Sequence, residues 1–130
     1  MEFSSNQPIY LQVATWLEQQ ILEEKYPIGH KIPGVRDLAV HLIVSTRTVQ
    51  NAVNQLVTSG LIITKRGQGN FVTEDAAKID DIKLDKKMRI TQEYINEIMH
   101  VAQAQEIPDL VANAMKEYED TRTRRDHVTG

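Results

Sequence analysis

The chain predicts a mainly α fold with one small β-hairpin, followed by a two-helix C-terminal appendage. Three observations carry that expectation. Apolar residues recur at helical spacing in several separate stretches. The apolar run Leu61, Ile62 and Ile63 is answered by Asn70, Phe71, Val72 and Thr73 across a glycine-containing tip. Between Asp37 and Glu74 there is no carboxylate, while Arg47, Lys65 and Arg66 fall inside that window.

With 130 residues and 41% hydrophobic content, the chain can bury one real core, so one domain plus an appendage is expected. Cys is absent, which removes disulfides and thiolate metal sites and fits a reducing compartment. No stretch has the length and apolarity of a membrane span, and residues 1–7 lack the pattern of a signal peptide. A cytoplasmic protein with no membrane partner is expected. The net charge is −3, but residues 1–74 hold six Lys+Arg and six Asp+Glu, leaving nine and twelve for residues 75–130. All of the excess acid lies in the second part, so a local basic face in the first is compatible with a polyanionic partner.

The first helix is expected from Gln7 to Lys25, with Ile9, Val13, Trp16, Leu17 and Ile21 as its apolar stripe, Pro8 in its first turn and Asn6 as its cap. Pro27, Gly29 and Pro33 then interrupt the chain. A short second helix, Val35 to Leu42, buries Val35, Leu38, Ala39 and Leu42 and turns Arg36 and Asp37 outward. Ile43 and Val44 make a turn. Ser45 is a good cap for a third helix that buries Val49, Ala52, Val53 and Leu56 and presents Thr46, Arg47, Gln50, Asn51 and Asn54 on its other face. Two short helices joined by so tight a turn fit a helix-turn-helix. Gly60 stops the third helix, and the hairpin that follows has a basic, narrow tip at Lys65, Arg66, Gly67, Gln68 and Gly69.

Glu74 to Lys87 reads as a linker or the frayed start of a helix. Beyond it, Ile95, Ile98, Val101 and Ala102 form one helical stripe, and Leu110, Val111, Ala114, Met115 and Tyr118 another, with Pro108 in the first turn of the last helix. Two helices with exposed stripes need a surface to pack on, either the first domain or a second copy. Ile95, Ile98, Ala102, Leu110, Val111 and Ala114 are therefore the expected dimerisation residues. The expected division is 1–74 for the helix-turn-helix domain, 75–121 for the two-helix segment and 122–130 for a disordered polar tail.

No catalytic constellation is legible: GxSxG, HExxH, GxxxxGK[ST] and a thiol nucleophile are all missing. The four histidines stand apart, and an isolated His is more often structural than a ligand. No metal, cofactor or enzymatic activity is expected. The Gly67–Gly69 pair is not a nucleotide loop, because such a loop joins a strand to a helix and here both flanks read as strands. In a helix-turn-helix the second helix enters the major groove, which would present Thr46, Arg47, Gln50 and Asn51 to DNA, Arg at a guanine, Gln or Asn at an adenine and Thr at a thymine methyl or a phosphate, with Arg36 at phosphate. A solvated polar face is the alternative for these residues taken alone. The order of missing acids, paired short helices and basic hairpin favours DNA.

Those same residues carry a resemblance. The runs PIYLQVATWLEQQI, YPIGHKIPGVRDLAVHLIVSTRTVQNAVNQLVTSGLI and TKRGQGNFV, covering nearly all of residues 8–73, resemble the winged helix-turn-helix of the GntR family of bacterial transcription regulators. The resemblance implies that Arg36 contacts phosphate, that Ser45, Thr46, Arg47 and Thr48 contact DNA, that Gln50 faces the groove, and that Arg66, Gly67 and Gly69 place the wing at the minor groove. Three positions depart from the pattern: Gly34 stands where Ser is frequent, Ile43 where the turn often has Gly, and Gln50 where Arg is frequent. The short segment after the wing is similar to the YtrA-like branch, whose C-terminal helices form the dimer.

The expectation is thus a homodimeric repressor that binds a near-palindromic operator on double-stranded DNA, with room for a small-molecule effector. A winged-helix module that binds protein is the competing expectation.

Overall fold

The structure is a computed structural model that describes residues 2–129, with side chains described through Arg125. The elements run α1 (Ile9–Leu22), α2 (Val35–Leu42), α3 (Thr46–Thr58), β1 (Ile62–Lys65), β2 (Gly69–Val72), α4 (Ala76–Ile98), a 3-10 turn (Ala104–Glu106) and α5 (Ile107–Thr129). The chain divides into two compact units at Lys86 and Lys87, a boundary that falls inside α4.

The first unit closes one core. Val13, Leu17 and Ile21 from α1 meet Leu38 and Leu42 from α2, Val49, Val53 and Leu56 from α3, and Leu61, Ile62 and Val72 from the hairpin. These are the stripes expected from the 3.6-residue period, and each helix spends its apolar face on the same core. The strands pair antiparallel with Ile62 opposite Val72 and Lys65 opposite Gly69. Within the two strands only Ile62 and Val72, at the base of the hairpin, are fully buried, so the ribbon is anchored at one end and projects its tip into solvent. Trp16 packs edge-on to Tyr26, at 6.4 Å between ring centroids, where burial pushes the Tyr26 phenol above its ordinary pKa.

Several local expectations are corrected. Asn6 does not cap α1; Pro8 takes the cap position without a side-chain bond. The N-terminal segment is tied down by Gln12 instead, whose amide donates to the carbonyls of Ser4 (2.8 Å) and Gln7 (2.9 Å) and accepts from the Ser4 N–H (2.8 Å). Of the two readings open for residues 74–87, linker or start of a helix, the helix holds from Ala76 onward: the Asp75 carboxylate accepts from the Lys78 N–H at 3.2 Å, and Ile79 and Ile82 pack on the core. Residues 75–86 therefore belong with the first unit, and Lys86 reaches Glu18 of α1 at 3.5 Å.

In the second unit α4 ends at Ile98, so Val101 and Ala102 lie in the turn beyond it and not on its stripe. Gln103 and Glu106 form a capping box there, which fixes the polar turn before Ile107. α5 continues to Thr129, into the segment 122–130 expected to be disordered. No Gly or Pro follows Pro108 before the end of that helix, and Arg122, Arg124 and Arg125 suit a helix C-terminal end. Gly130 lies outside the described residues.

Candidate nucleic-acid interface

The site is built on α2, α3 and the hairpin. The backbone at Ser45 is extended (φ −72°, ψ 155°), and its side chain accepts the Thr48 N–H at 3.1 Å. This satisfies one of the donors that every helix start leaves open and holds the first turn of α3 in place. Because Val49, Ala52, Val53 and Leu56 face the core, the helical period forces Thr46, Arg47, Gln50, Asn51 and Asn54 onto the exposed side. Thr48 is half-buried, its hydroxyl 2.9 Å from that of Ser45.

The polar side chains on that face are not equally free. Gln50 donates to Asn54 at 2.9 Å. The Arg47 side chain makes no hydrogen bond or ion pair among the described residues, and neither do the side chains of Arg36, near the start of α2, or Arg66, at the hairpin tip. The absence of carboxylates between Asp37 and Glu74 leaves Arg47 and Arg66 without a counter-charge nearby in sequence, whereas Arg36 lies outside that window beside Asp37. An unpaired, exposed Arg gives up no internal bond when it meets a phosphate or a base edge.

The hairpin tip is shaped by its glycines. Gly67 and Gly69 have φ of 76° and 121°, backbone that L side chains rarely adopt, and the Gln68 N–H closes the turn on the Lys65 carbonyl at 2.9 Å. Lys65 is partly committed, its ammonium 4.5 Å from the centre of the Phe71 ring. Thr64 and Asn70 join the strands through their side chains at 2.7 Å.

Lys31 is a residue that sequence reasoning missed. It forms an isolated antiparallel bridge with Phe71, flanked by Ile32 N–H to Asn70 carbonyl and Val72 N–H to His30 carbonyl bonds, both 2.9 Å. Its exposed side chain lies across Gly69, where a methyl group in place of the glycine hydrogen would fall 2.7 Å from Lys31 Cε. A cation is thereby added beside the tip of the hairpin. The signal is slight: an exposed Lys beside buried Ile32, with its partner strand some forty residues on, a separation no local pattern reveals.

The residues expected to dimerise are distributed differently. Ile95, Ile98 and Ala102 are half-buried, whereas Leu110, Val111 and Ala114 are exposed on α5. Among the described residues no helix is long and apolar enough to cross a membrane.

A three-helix core with a projecting, basic, glycine-tipped hairpin defines a winged helix-turn-helix regulator of the DNA-binding class. Residues 9–72 match the bacterial regulatory proteins of the gntR family. The chain is 35% identical over 88 residues to the transcriptional regulator YhcF of Bacillus subtilis, covering 68% of this chain and 72% of that one. It is 30% identical over 95 residues to the transcriptional repressor YtrA of the same organism, covering 73% and 71%. Among solved structures, a GntR family regulator from Listeria monocytogenes superposes with a TM-score of 0.81 at 30% identity, over 85% of this chain and 98% of that one. The DNA-binding domain of AraR in complex with an operator superposes with a TM-score of 0.52 at 30% identity, over 55% and 93%. The chain belongs to the GntR family of transcriptional regulators.

Proposed function

We propose that the protein is a cytoplasmic repressor that binds a near-palindromic operator as a homodimer. The observation that carries this reading is the exposed N-terminal face of α3, where Arg47 stands unpaired beside Thr46, Gln50 and Asn51 in a window without carboxylates. Arg47 reads a guanine edge, and Gln50 or Asn51 an adenine edge, once Gln50 exchanges its bond to Asn54 for the base. Ser45, Thr46 and Thr48 contact the backbone at the helix start, and Arg36 a phosphate. Lys65, Arg66, Gly67 and Gly69 form the wing, with Lys31 beside it. The operator complex of AraR, which shares this domain at 30% identity, supports the DNA reading, and the name of YtrA supports the sign of regulation.

The second copy follows from surface chemistry. In the second unit Leu110, Val111, Met115 and Tyr118 are all at least 41% exposed, and Met88 and Ile90 of α4 add to the apolar surface left in water by a single chain. A second copy that covers these residues gives the protein two α3 helices, and a two-fold helix-turn-helix dimer reads half-sites roughly 34 Å apart, one turn of DNA. The test is a gel shift of the full-length protein on the DNA upstream of its own gene, with random competitor DNA present. A retained shift is expected. No shift even at low salt refutes the reading and favours a domain that binds protein.

A further inference from the structure

Away from the DNA face, the first unit holds a cleft of about 400 Å³. It lies between the C-terminal end of α1, the loop at Pro27 and Ile28, and the first turns of α4. Its floor is apolar: Ile21, Pro27, Ile28, Ala76 and Ile79. Its rim is charged, with Glu24 just beyond α1 and with Asp80 and Lys83 on α4. The volume lies within the range of small-molecule sites, roughly 300–1,000 Å³, and the pattern of an apolar floor with a few polar groups is the one such sites use.

The rim chemistry selects a ligand class. Glu24, Asp80 and Lys83 have no side-chain hydrogen bond or ion pair among the described residues. Two carboxylates face one ammonium, so an incoming cation gains two attractions against one repulsion, and an incoming anion the reverse. Ile28, 43% exposed, and half-buried Ile79 offer hydrocarbon that a ligand body would cover. We infer that this cleft binds a small amine with an apolar body, its ammonium at Glu24 and Asp80 and its hydrocarbon on Ile28 and Ile79.

Such a ligand bridges α1 and α4. The first turns of α4 are otherwise held to the core by Ile79, Ile82 and the Lys86–Glu18 pair, and α4 continues unbroken into the second unit. The amine is therefore an effector that holds the first turns of α4 against the end of α1 within the DNA-binding unit, a role that rests on the regulator reading above.

The test uses the full-length protein with phenethylamine and phenylacetate as matched probes at millimolar concentration. Phenethylamine is expected to shift the backbone amide resonances of Ile28 and Ile79 and to raise the melting temperature, and phenylacetate to do neither. The double variant Glu24→Gln with Asp80→Asn should keep the melting temperature of the free protein and bind the amine up to about tenfold more weakly, since exposed ion pairs contribute little each. Ala76→Trp, at the exposed first residue of α4, should fill the cleft and abolish the shifts. Equal binding of phenylacetate, unchanged amine affinity in the double variant, or no shifts at all overturns the site. A gel shift on the same samples separates the two readings. Protein that binds DNA but no amine loses only the cleft proposal; protein that binds the amine but no DNA keeps the cleft and loses its regulatory role.

Discussion

The Ser45 hydroxyl accepts the Thr48 N–H at 3.1 Å and lies 2.9 Å from the Thr48 hydroxyl, so the start of α3 is held by the same side chain that borders its exposed face. Ser45→Ala should cost about 1 kcal/mol of stability, the usual loss for an N-cap. Ser45→Asp should keep the cap and the stability but put a carboxylate into the acid-free window, weakening DNA binding at least tenfold. Urea unfolding and fluorescence anisotropy on both variants separate the two effects. Equal DNA affinity for Ser45→Asp and wild type would contradict the placement of Ser45 at the backbone.

Ile43 ends α2 in the left-handed region, at φ 57° and ψ 53°, with 89% of its surface exposed. A β-branched residue there is strained by roughly 1–2 kcal/mol, and no burial offsets it. Ile43→Gly should raise stability by about 0.5–1 kcal/mol after allowing for the greater freedom of Gly in the unfolded chain. A fall in the urea midpoint would show that Ile43 contributes something its exposure hides.

Gly69 and Gly67 should differ. A methyl group at Gly69 meets Lys31 Cε at 2.7 Å on backbone with φ of 121°, whereas at Gly67 nothing lies within 4 Å. Gly69→Ala is expected to cost about 1–3 kcal/mol and to loosen the hairpin, and Gly67→Ala less. Hydrogen exchange at Phe71 and Val72 reads the difference. Equal protection in both variants would remove Lys31 from the account of the hairpin.

Leu110→Glu should turn the dimer into a monomer, because it puts a charge into the apolar face of α5 that the second copy is proposed to cover. Sedimentation velocity measures this directly. A variant that sediments as wild type would place the interface elsewhere.

Much of this was legible in the sequence because amphipathic periodicity is local. The buried faces of α2 and α3, the Ser45 cap and the glycine tip each depend on neighbours a few residues away. What escaped depends on long-range contact. Residues 76–87 left linker and helix start both open because their charges dominate the local pattern, yet Ile79 and Ile82 find the core and Lys86 finds Glu18, sixty-eight positions earlier. The role of Lys31 rests on a bridge to Phe71, and the helical stripe through Val101 fails because the Gln103–Glu106 capping box starts a new turn just beyond it.

The central claim is that α3 reads bases, and selection of bound sequences from a random DNA pool tests it most directly, run in parallel on wild type, Arg47→Ala and Arg36→Ala. Wild type should enrich a near-palindrome with half-sites one helical turn apart. Arg47→Ala should relax one position in each half-site, at a discrimination cost of about 1–3 kcal/mol, while Arg36→Ala keeps the motif but binds all DNA more weakly, with a salt slope shallower by about one phosphate. No enriched motif for wild type, or an unchanged motif for Arg47→Ala, would contradict it.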